Sequence, residues 1–169
     1  MRRSINRWDK FLIVLMLAFC TSVCADNLSV STNDRLEIQD LLSNYARAWD
    51  SKNVERFVSL FTEDAIAQVY LAGTLAAEAV TLEQRTQHAM AQTSGFRTNG
   101  IQTRHYMANT ILTPQSDNTV QGETYFYVTW QYEGEKSPIL KHTGVYVDTF
   151  VKTNNGWKFL KHETRVDHI

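Results

Sequence analysis

The chain has 169 residues, a formal net charge of −1 and 43% hydrophobic residues, which is enough for one domain to bury a sizeable core. Basic residues form no stripe along the sequence, which argues against a nucleic acid as partner. The five histidines show no recognisable metal-ligand spacing, and no phosphate-binding or dinucleotide-binding motif is present. We therefore predict neither a metal nor a cofactor.

Residues 1–25 are predicted to be a secretory signal peptide. Four basic residues flank the start of a nine-residue apolar run at residues 11–19, and small residues at Val23 and Ala25 suit cleavage after Ala25. The run is too short for a membrane-spanning helix, which needs about twenty residues. An uncleaved membrane anchor is the alternative. The predicted domains are the signal at residues 1–25, a flexible leader at residues 26–32 and a folded domain at residues 33–169.

Cleavage would leave 144 residues with a net charge of −4 and no cysteine, because Cys20 and Cys24 both lie in the signal. The mature protein is expected in the periplasm or outside the cell, without a membrane partner. It would have no disulfide to form there, so packing must supply its stability.

Two amphipathic helices are predicted at the start of the folded domain. Apolar residues recur at three- and four-residue spacings from Leu36 to Trp49, and Asn33 or Asp34 is expected to cap this helix. A second, shorter helix is expected from Val54 to about Thr62, and a strand over residues 66–71. Residues 74–80 suit a helix by propensity and a strand by position, so both remain open.

A third helix is predicted from the Thr81 and Gln84 capping-box pattern to about Thr93, followed by a loop over residues 94–100. Four strands are then predicted over residues 103–113, 119–132, 139–152 and 157–167, with a hairpin turn at residues 154–156. The predicted class is α+β, in which three helices close one side of a mostly antiparallel, strongly curved sheet. Such a sheet leaves a hollow suited to a small molecule.

Asp50 and His105 are the first candidates for chemistry. Asp50 lies where the first helix ends, and a solvated linker carboxylate is the alternative interpretation. His105 lies on a strand, and histidine is the usual proton shuttle near neutral pH; a half-buried strand histidine is equally compatible with the sequence. Tyr45 is about 140° from Asp50 around a regular helix, so both face one cavity only if the helix ends before Asp50.

The strand with His142 shows one further pattern. His142, Gly144, Tyr146 and Asp148 alternate onto one face, while valines occupy the other. One face is therefore polar and aromatic and the other aliphatic.

Several short motifs resemble SnoaL-like proteins of the nuclear transport factor 2-like superfamily. They are Tyr45-Ala46 followed by Asp50, the run at residues 60–65, Thr103-Arg104-His105 with Asn109, the run at residues 144–148, and residues 156–159 with Asp167. The resemblance covers residues 33–167 and implies a cone of three helices on a curved sheet around a deep pocket. It also implies candidate substrate-binding residues, which are Trp49, Asn109, Tyr127, His142, Tyr146 and Asp148.

Scytalone dehydratase and bile-acid dehydratase of this superfamily use a tyrosine and an aspartate of the first helix with a strand histidine. The resemblance therefore implies Tyr45, Asp50 and His105 as catalytic residues of a cofactor-independent dehydratase or isomerase. Its substrate would be a hydrophobic, hydroxylated small molecule. The further aspartate of the bile-acid enzyme has no match here, and Gln68 and Val69 stand where ketosteroid isomerase has its base. A non-catalytic ligand-binding domain and a homodimerisation domain are the alternatives.

Overall fold

The computed structural model describes residues 29–115 and 118–167, so the predicted signal peptide and residues 26–28 of the predicted leader lie outside the described residues. The helices are α1 (Thr32–Asp50), α2 (Val54–Ser59) and α3 (Leu82–Thr98). The strands are β1 (Phe61–Leu71), β2 (Thr74–Ala79), β3 (Ile101–Pro114), β4 (Thr119–Tyr132), β5 (Ile139–Thr153) and β6 (Gly156–Val166). None of the described helices is long and apolar enough to cross a membrane.

Helix α1 begins at Thr32, one or two residues before the predicted start, and its cap is Ser31, so the prediction of Asn33 or Asp34 as the cap is wrong. The Ser31 hydroxyl accepts the backbone N–H of Asp34 at 3.1 Å and so satisfies a free amide of the first turn. Ile38, Leu41, Leu42 and Tyr45 of the predicted apolar face are buried at helical spacing, together with Ala48. Leu36, also predicted on this face, is 55% exposed.

Helix α3 runs to Thr98, so the prediction of a loop from residue 94 is wrong. Gly95 is accommodated inside the helix, and the chain leaves it only at Asn99 and Gly100, where Gly100 adopts a φ of 59°. The Thr81 cap is confirmed, since its hydroxyl accepts the N–H of Gln84 at 3.2 Å.

The six strands form one sheet in the order β2-β1-β6-β5-β4-β3, in which β1 and β6 are parallel and every other pair is antiparallel. The sheet is curved and does not close on itself, so β2 and β3 are its edges. Residues 74–79 form a strand because they pair with β1, to which a tight turn at Ala72 and Gly73 connects them. This pairing overrides the helix propensity of their alanines. Strand β1 begins at Phe61, earlier than predicted, because Phe61 pairs with Phe159.

The core fills the space between the concave face of the sheet and the three helices. It is rich in aromatic rings that contact one another, including Tyr45, Phe57, Phe61, Phe126, Tyr146, Phe150 and Phe159. The predicted α+β class and helix-closed curved sheet are confirmed. On β5, Gly144, Tyr146, Asp148 and Phe150 are buried, so the polar and aromatic face predicted for this strand is the inner one.

Candidate active site at the junction of α1 and β3

The end of α1 is held against the edge strand β3. The amide of Gln102 donates a 3.0 Å hydrogen bond to the backbone carbonyl of Asp50, one of the carbonyls that a helix end leaves free. The chain then turns through Lys52, which has a φ of 58°. This contact fixes the position of Asp50 relative to β3.

Three groups of β3 donate hydrogen bonds to the Asp50 carboxylate. The Thr103 hydroxyl donates to Oδ1 at 2.9 Å, and the His105 backbone N–H donates to Oδ2 at 3.1 Å. The third donor is the His105 ring, whose Nδ1 lies 2.6 Å from Oδ1. The side chains of His105 and Asp50 are 12% and 15% exposed. The predicted pair is therefore brought together, and it remains accessible.

The pKa of Asp50 lies below its ordinary value. Partial burial alone would raise this pKa, but the hydrogen bonds and charge interaction from His105, with the Thr103 hydrogen bond, outweigh it. An ionised carboxylate only accepts hydrogen bonds, so Nδ1 of His105 carries the proton that lies between them. In the neutral ring the Nε2 nitrogen is then the proton acceptor. No residue in the described part of the chain hydrogen-bonds to Nε2.

A groove of about 1070 Å³ lies beside this pair, between α1, the start of α2 and the edge strand β3. Leu42, Ala46, Met107 and Ala108 give it an apolar part. Three arginines line it as well, namely Arg47, Arg56 and Arg104, and Asp50 is the only carboxylate among its described lining residues. The groove therefore suits a molecule with an apolar body and a polar or negatively charged group.

A second aspartate–histidine pair lies deeper in the molecule. Nδ1 of His162 is 2.7 Å from Oδ1 of Asp148, and its Nε2 is 3.0 Å from the Tyr45 hydroxyl and 3.1 Å from the Thr164 hydroxyl. Asp148 and His162 are almost completely buried. Burial raises the pKa of Asp148, and the adjacent His162 offsets only part of this effect.

Tyr45 belongs to this second group and not to the groove. Its ring meets the His105 ring edge-on at 6.4 Å between centroids, but its hydroxyl is directed to His162. Tyr45, Trp49, His162 and Thr164 line an inner cavity of about 280 Å³ between α1, α3 and the strands β1, β2 and β6. Burial raises the pKa of Tyr45, which keeps the phenol protonated near neutral pH.

The other residues predicted to bind substrate are dispersed. Asn109 lines the groove, in a left-handed conformation with a φ of 55° at a bulge in β3. Tyr127 stacks on Tyr106 at 4.5 Å on the outer face of the sheet. Tyr146 is buried against Phe126.

His142 is the remaining residue of the predicted set, and it lies 6.1 Å from the Trp130 ring. Its pKa is lowered by partial burial and by the neighbouring charges of Lys141 and His105.

In the described part of the chain, no three histidine, cysteine or acidic side chains are close enough to hold a metal ion together.

Comparison with known proteins agrees with this architecture. Residues 30–163 match the SnoaL-like domain family, and the chain belongs to that family. No match was found among the curated proteins.

Solved structures share the fold. One is ActVI-ORFA from Streptomyces coelicolor, at 20% identity and a TM-score of 0.71, over 82% of this chain and 98% of that chain. A proposed scytalone dehydratase from Novosphingobium aromaticivorans gives 23% identity and a TM-score of 0.64, over 80% and 88%. A nuclear transport factor 2-like protein with a cystatin-like fold from the same organism has 21% identity and a TM-score of 0.65, over 79% of this chain and 82% of that chain.

Proposed function

We propose that this protein is an exported, cofactor-independent lyase or isomerase that acts on a hydroxylated small molecule with an apolar body. The observation that carries this proposal is the 2.6 Å contact between Asp50 and His105 beside an open groove. One of the structures with the same fold is named as a proposed scytalone dehydratase, which is a water-eliminating enzyme by name. Export rests on the predicted signal at residues 1–25.

In this proposal His105 is the acid–base group and Asp50 positions it. Nε2 of His105 removes a proton from the carbon next to an activating carbonyl, and the electron pair of that C–H bond forms a double bond as the C–O bond of the leaving hydroxyl breaks. The imidazolium then protonates the departing hydroxide, which leaves as water. Asp50 stays ionised and stabilises the imidazolium. Return of the proton to another carbon would give an isomerisation instead.

The test is a search for water loss. Wild-type protein is incubated with a panel of cyclic β-hydroxy ketones and β-hydroxy acids, and the products are examined by mass spectrometry. We expect at least one member to lose water with the wild type and not with His105→Ala. His88→Ala, on α3 outside the groove, is the matched histidine control and should keep the activity.

A non-catalytic ligand-binding protein is the competing function, and ligand retention separates the two. Mass spectrometry of small molecules that co-purify with the wild type identifies a bound compound. If that compound is recovered unchanged, and binds wild type and His105→Ala equally, the lyase proposal fails.

Self-association is proposed separately, on the outer face of the sheet. Tyr106, Ile111, Tyr125 and Tyr127 are between 43% and 66% exposed there, on β3 and β4. A second copy of this chain is the proposed occupant, giving a homodimer. Sedimentation of the wild type and of Tyr125→Ser measures it, and a wild-type monomer at micromolar concentration would contradict it.

A further inference from the structure

The groove beside Asp50 and His105 carries more positive charge than the proposed proton transfer uses. Arg47 of α1, Arg56 of α2 and Arg104 of β3 line it, and Asp50 is the only carboxylate among its described lining residues. With a neutral His105 ring, the groove therefore has an excess of two positive charges. The whole chain has a formal net charge of −1, so this excess is local.

Neutral oxygen atoms hold two of these three guanidinium groups in place. Nη2 of Arg56 donates a 2.5 Å hydrogen bond to the side-chain oxygen of Asn44, and Nη1 of Arg104 donates to the backbone carbonyl of Thr103 at 2.8 Å. Within residues 29–115 and 118–167, none of the three arginines forms an ion pair with a carboxylate. Each guanidinium therefore keeps its charge uncompensated and has N–H donors left for a ligand.

Asp50 is not free to pair with these arginines, because three donors of β3 already occupy both of its carboxylate oxygens. A further cation lies two residues after it, at Lys52. Burial and the charges of Arg97 and Arg104 lower the pKa of Lys52, and the charge of Asp50 offsets only part of this effect. Positive charge is thus concentrated at the end of the groove where α1 meets β3.

This charge excess matches a dianion better than a single carboxylate. A phosphate monoester carries a charge of about −1.5 to −2 near pH 7 and has three strong acceptor oxygens, and guanidinium groups bind such oxygens through paired N–H donors. A carboxylate would leave one of the two excess charges uncompensated. Leu42, Ala46 and Met107 give the same groove an apolar surface, which suits an apolar body attached to the phosphate.

We propose that the groove binds a phosphate monoester with an apolar body, whose phosphate oxygens accept hydrogen bonds from Arg47, Arg56 and Arg104. All three arginines are exposed, so the phosphate lies at the open side of the groove and the apolar body lies against its apolar part. The substrate class is then a phosphorylated hydroxy ketone. Its assignment as the substrate rests on the proposed function, whereas its binding does not.

The test compares three phenyl esters of nearly the same shape that differ in charge. They are phenyl phosphate, phenyl sulfate, which has one negative charge, and phenyl methanesulfonate, which has none. Isothermal titration calorimetry of the purified protein measures their dissociation constants at low salt and about pH 7.5, where the phosphate is mostly a dianion. We expect phenyl phosphate to bind about fivefold more tightly than phenyl sulfate, and the neutral ester to bind least tightly.

Charge variants make the result specific to the groove. Arg56→Gln and Arg104→Gln should each reduce the preference for phosphate over sulfate to about twofold or less. Arg35→Gln, exposed on α1 outside the groove, removes the same charge and should keep the preference. His105→Ala should bind the three esters in the same order as the wild type, so failure of the proposed function would not affect this result.

Inorganic phosphate separates binding of an ester from attraction of any anion. It lacks the apolar body and should bind about tenfold more weakly than phenyl phosphate, since it buries no ring against the groove. The proposal is overturned if phenyl phosphate does not bind, or if it binds no more tightly than phenyl sulfate or inorganic phosphate. It is also overturned if Arg56→Gln and Arg104→Gln both keep the wild-type preference.

Discussion

The Tyr45 hydroxyl and the Asp50 carboxylate, five residues apart on α1, belong to two different cavities. Asp50 lines the groove at the edge of β3, and Tyr45 lines the inner cavity. The reason is that α1 continues through Asp50, so the two side chains point in directions about 140° apart. Asp50 is paired with His105, whereas the Tyr45 hydroxyl contacts His162, which is paired with Asp148. The two aspartate–histidine pairs therefore make separate predictions.

The buried Asp148–His162 pair predicts that two substitutions of Asp148 differ strongly in their effect on the free energy of unfolding. Asp148→Ala removes the only hydrogen-bond partner that Nδ1 of the buried His162 has among the described residues, and should lower the free energy of unfolding by about 3 kcal/mol or more. Asp148→Asn keeps an acceptor oxygen and should cost about 1 kcal/mol. Urea unfolding followed by circular dichroism measures both. Equal costs would show that the hydrogen bond to His162 does not stabilise the fold.

Substituting alanine at two glycines is predicted to change the stability of the fold in opposite directions. A Cβ at Gly144 would lie 2.1 Å from the backbone oxygen of Arg165 and 2.9 Å from the Phe126 ring, so Gly144→Ala should destabilise by about 2 kcal/mol. Gly95 lies inside α3, and apart from the adjacent residues and the nearby backbone of this helix no atom is within 4 Å of such a Cβ, so Gly95→Ala should stabilise by about 0.5–1 kcal/mol. Thermal unfolding of the two variants checks the signs. A destabilising Gly95→Ala would contradict the helix seen there.

Asp34 predicts a dependence of stability on pH. Hydrogen bonds from Lys152, Ser31 and Trp157 lower its pKa from 3.8 to about 2. Because the folded pKa is below the unfolded one, the stabilisation is complete above about pH 4 and is lost as the pH falls towards 2. This shift corresponds to at most about 2.4 kcal/mol, and solvent screening of a partly exposed ion pair reduces it to about 1 kcal/mol.

The measurement is the unfolding free energy of Asp34→Asn across this pH range. The variant should be less stable than wild type at pH 7 and equal to it near pH 2. Asp40→Asn, on the exposed side of the same helix, is the matched control and should follow the wild type throughout. A difference for Asp34→Asn that stays constant with pH would exclude the carboxylate as the cause.

The arginines of the groove predict an effect on substrate binding. Arg47→Gln should raise KM about threefold for a substrate with a carboxylate and leave kcat unchanged, since an exposed charge contact contributes less than about 1 kcal/mol. Arg35→Gln, exposed on the same helix outside the groove, should change neither constant. Steady-state kinetics distinguishes the two. A fall in kcat for Arg47→Gln would indicate that Arg47 acts in the transition state.

Much of the fold could be predicted from local patterns. The apolar spacing of α1, the Thr81 cap and the turn at residues 154–156 each depend on neighbouring residues, and each is confirmed. The strand at residues 74–79 could not be decided locally, because pairing with β1 determines it. The end of α3 was missed since Gly95 is tolerated within a packed helix.

The Asp50–His105 contact was predicted because the helix end and the strand carried a family resemblance. His162 was not predicted as a functional residue, although its partner Asp148 was. The turn at residues 154–156 places Phe150 opposite Phe159, and a regular hairpin would then place Asp148 opposite Lys161. An irregularity between Thr149 and Phe150 shifts the register by one residue and pairs Asp148 with His162 instead. No local sequence pattern indicates that shift.

The central claim is that His105, positioned by Asp50, transfers the proton during water loss. The most direct measurement is kcat/KM of His105→Ala for the substrate found in the screen, with and without added imidazole. We predict a loss of about 100-fold or more with unchanged circular dichroism. Imidazole that enters the open groove should restore part of the rate. A His105→Ala variant with the wild-type rate would contradict the account.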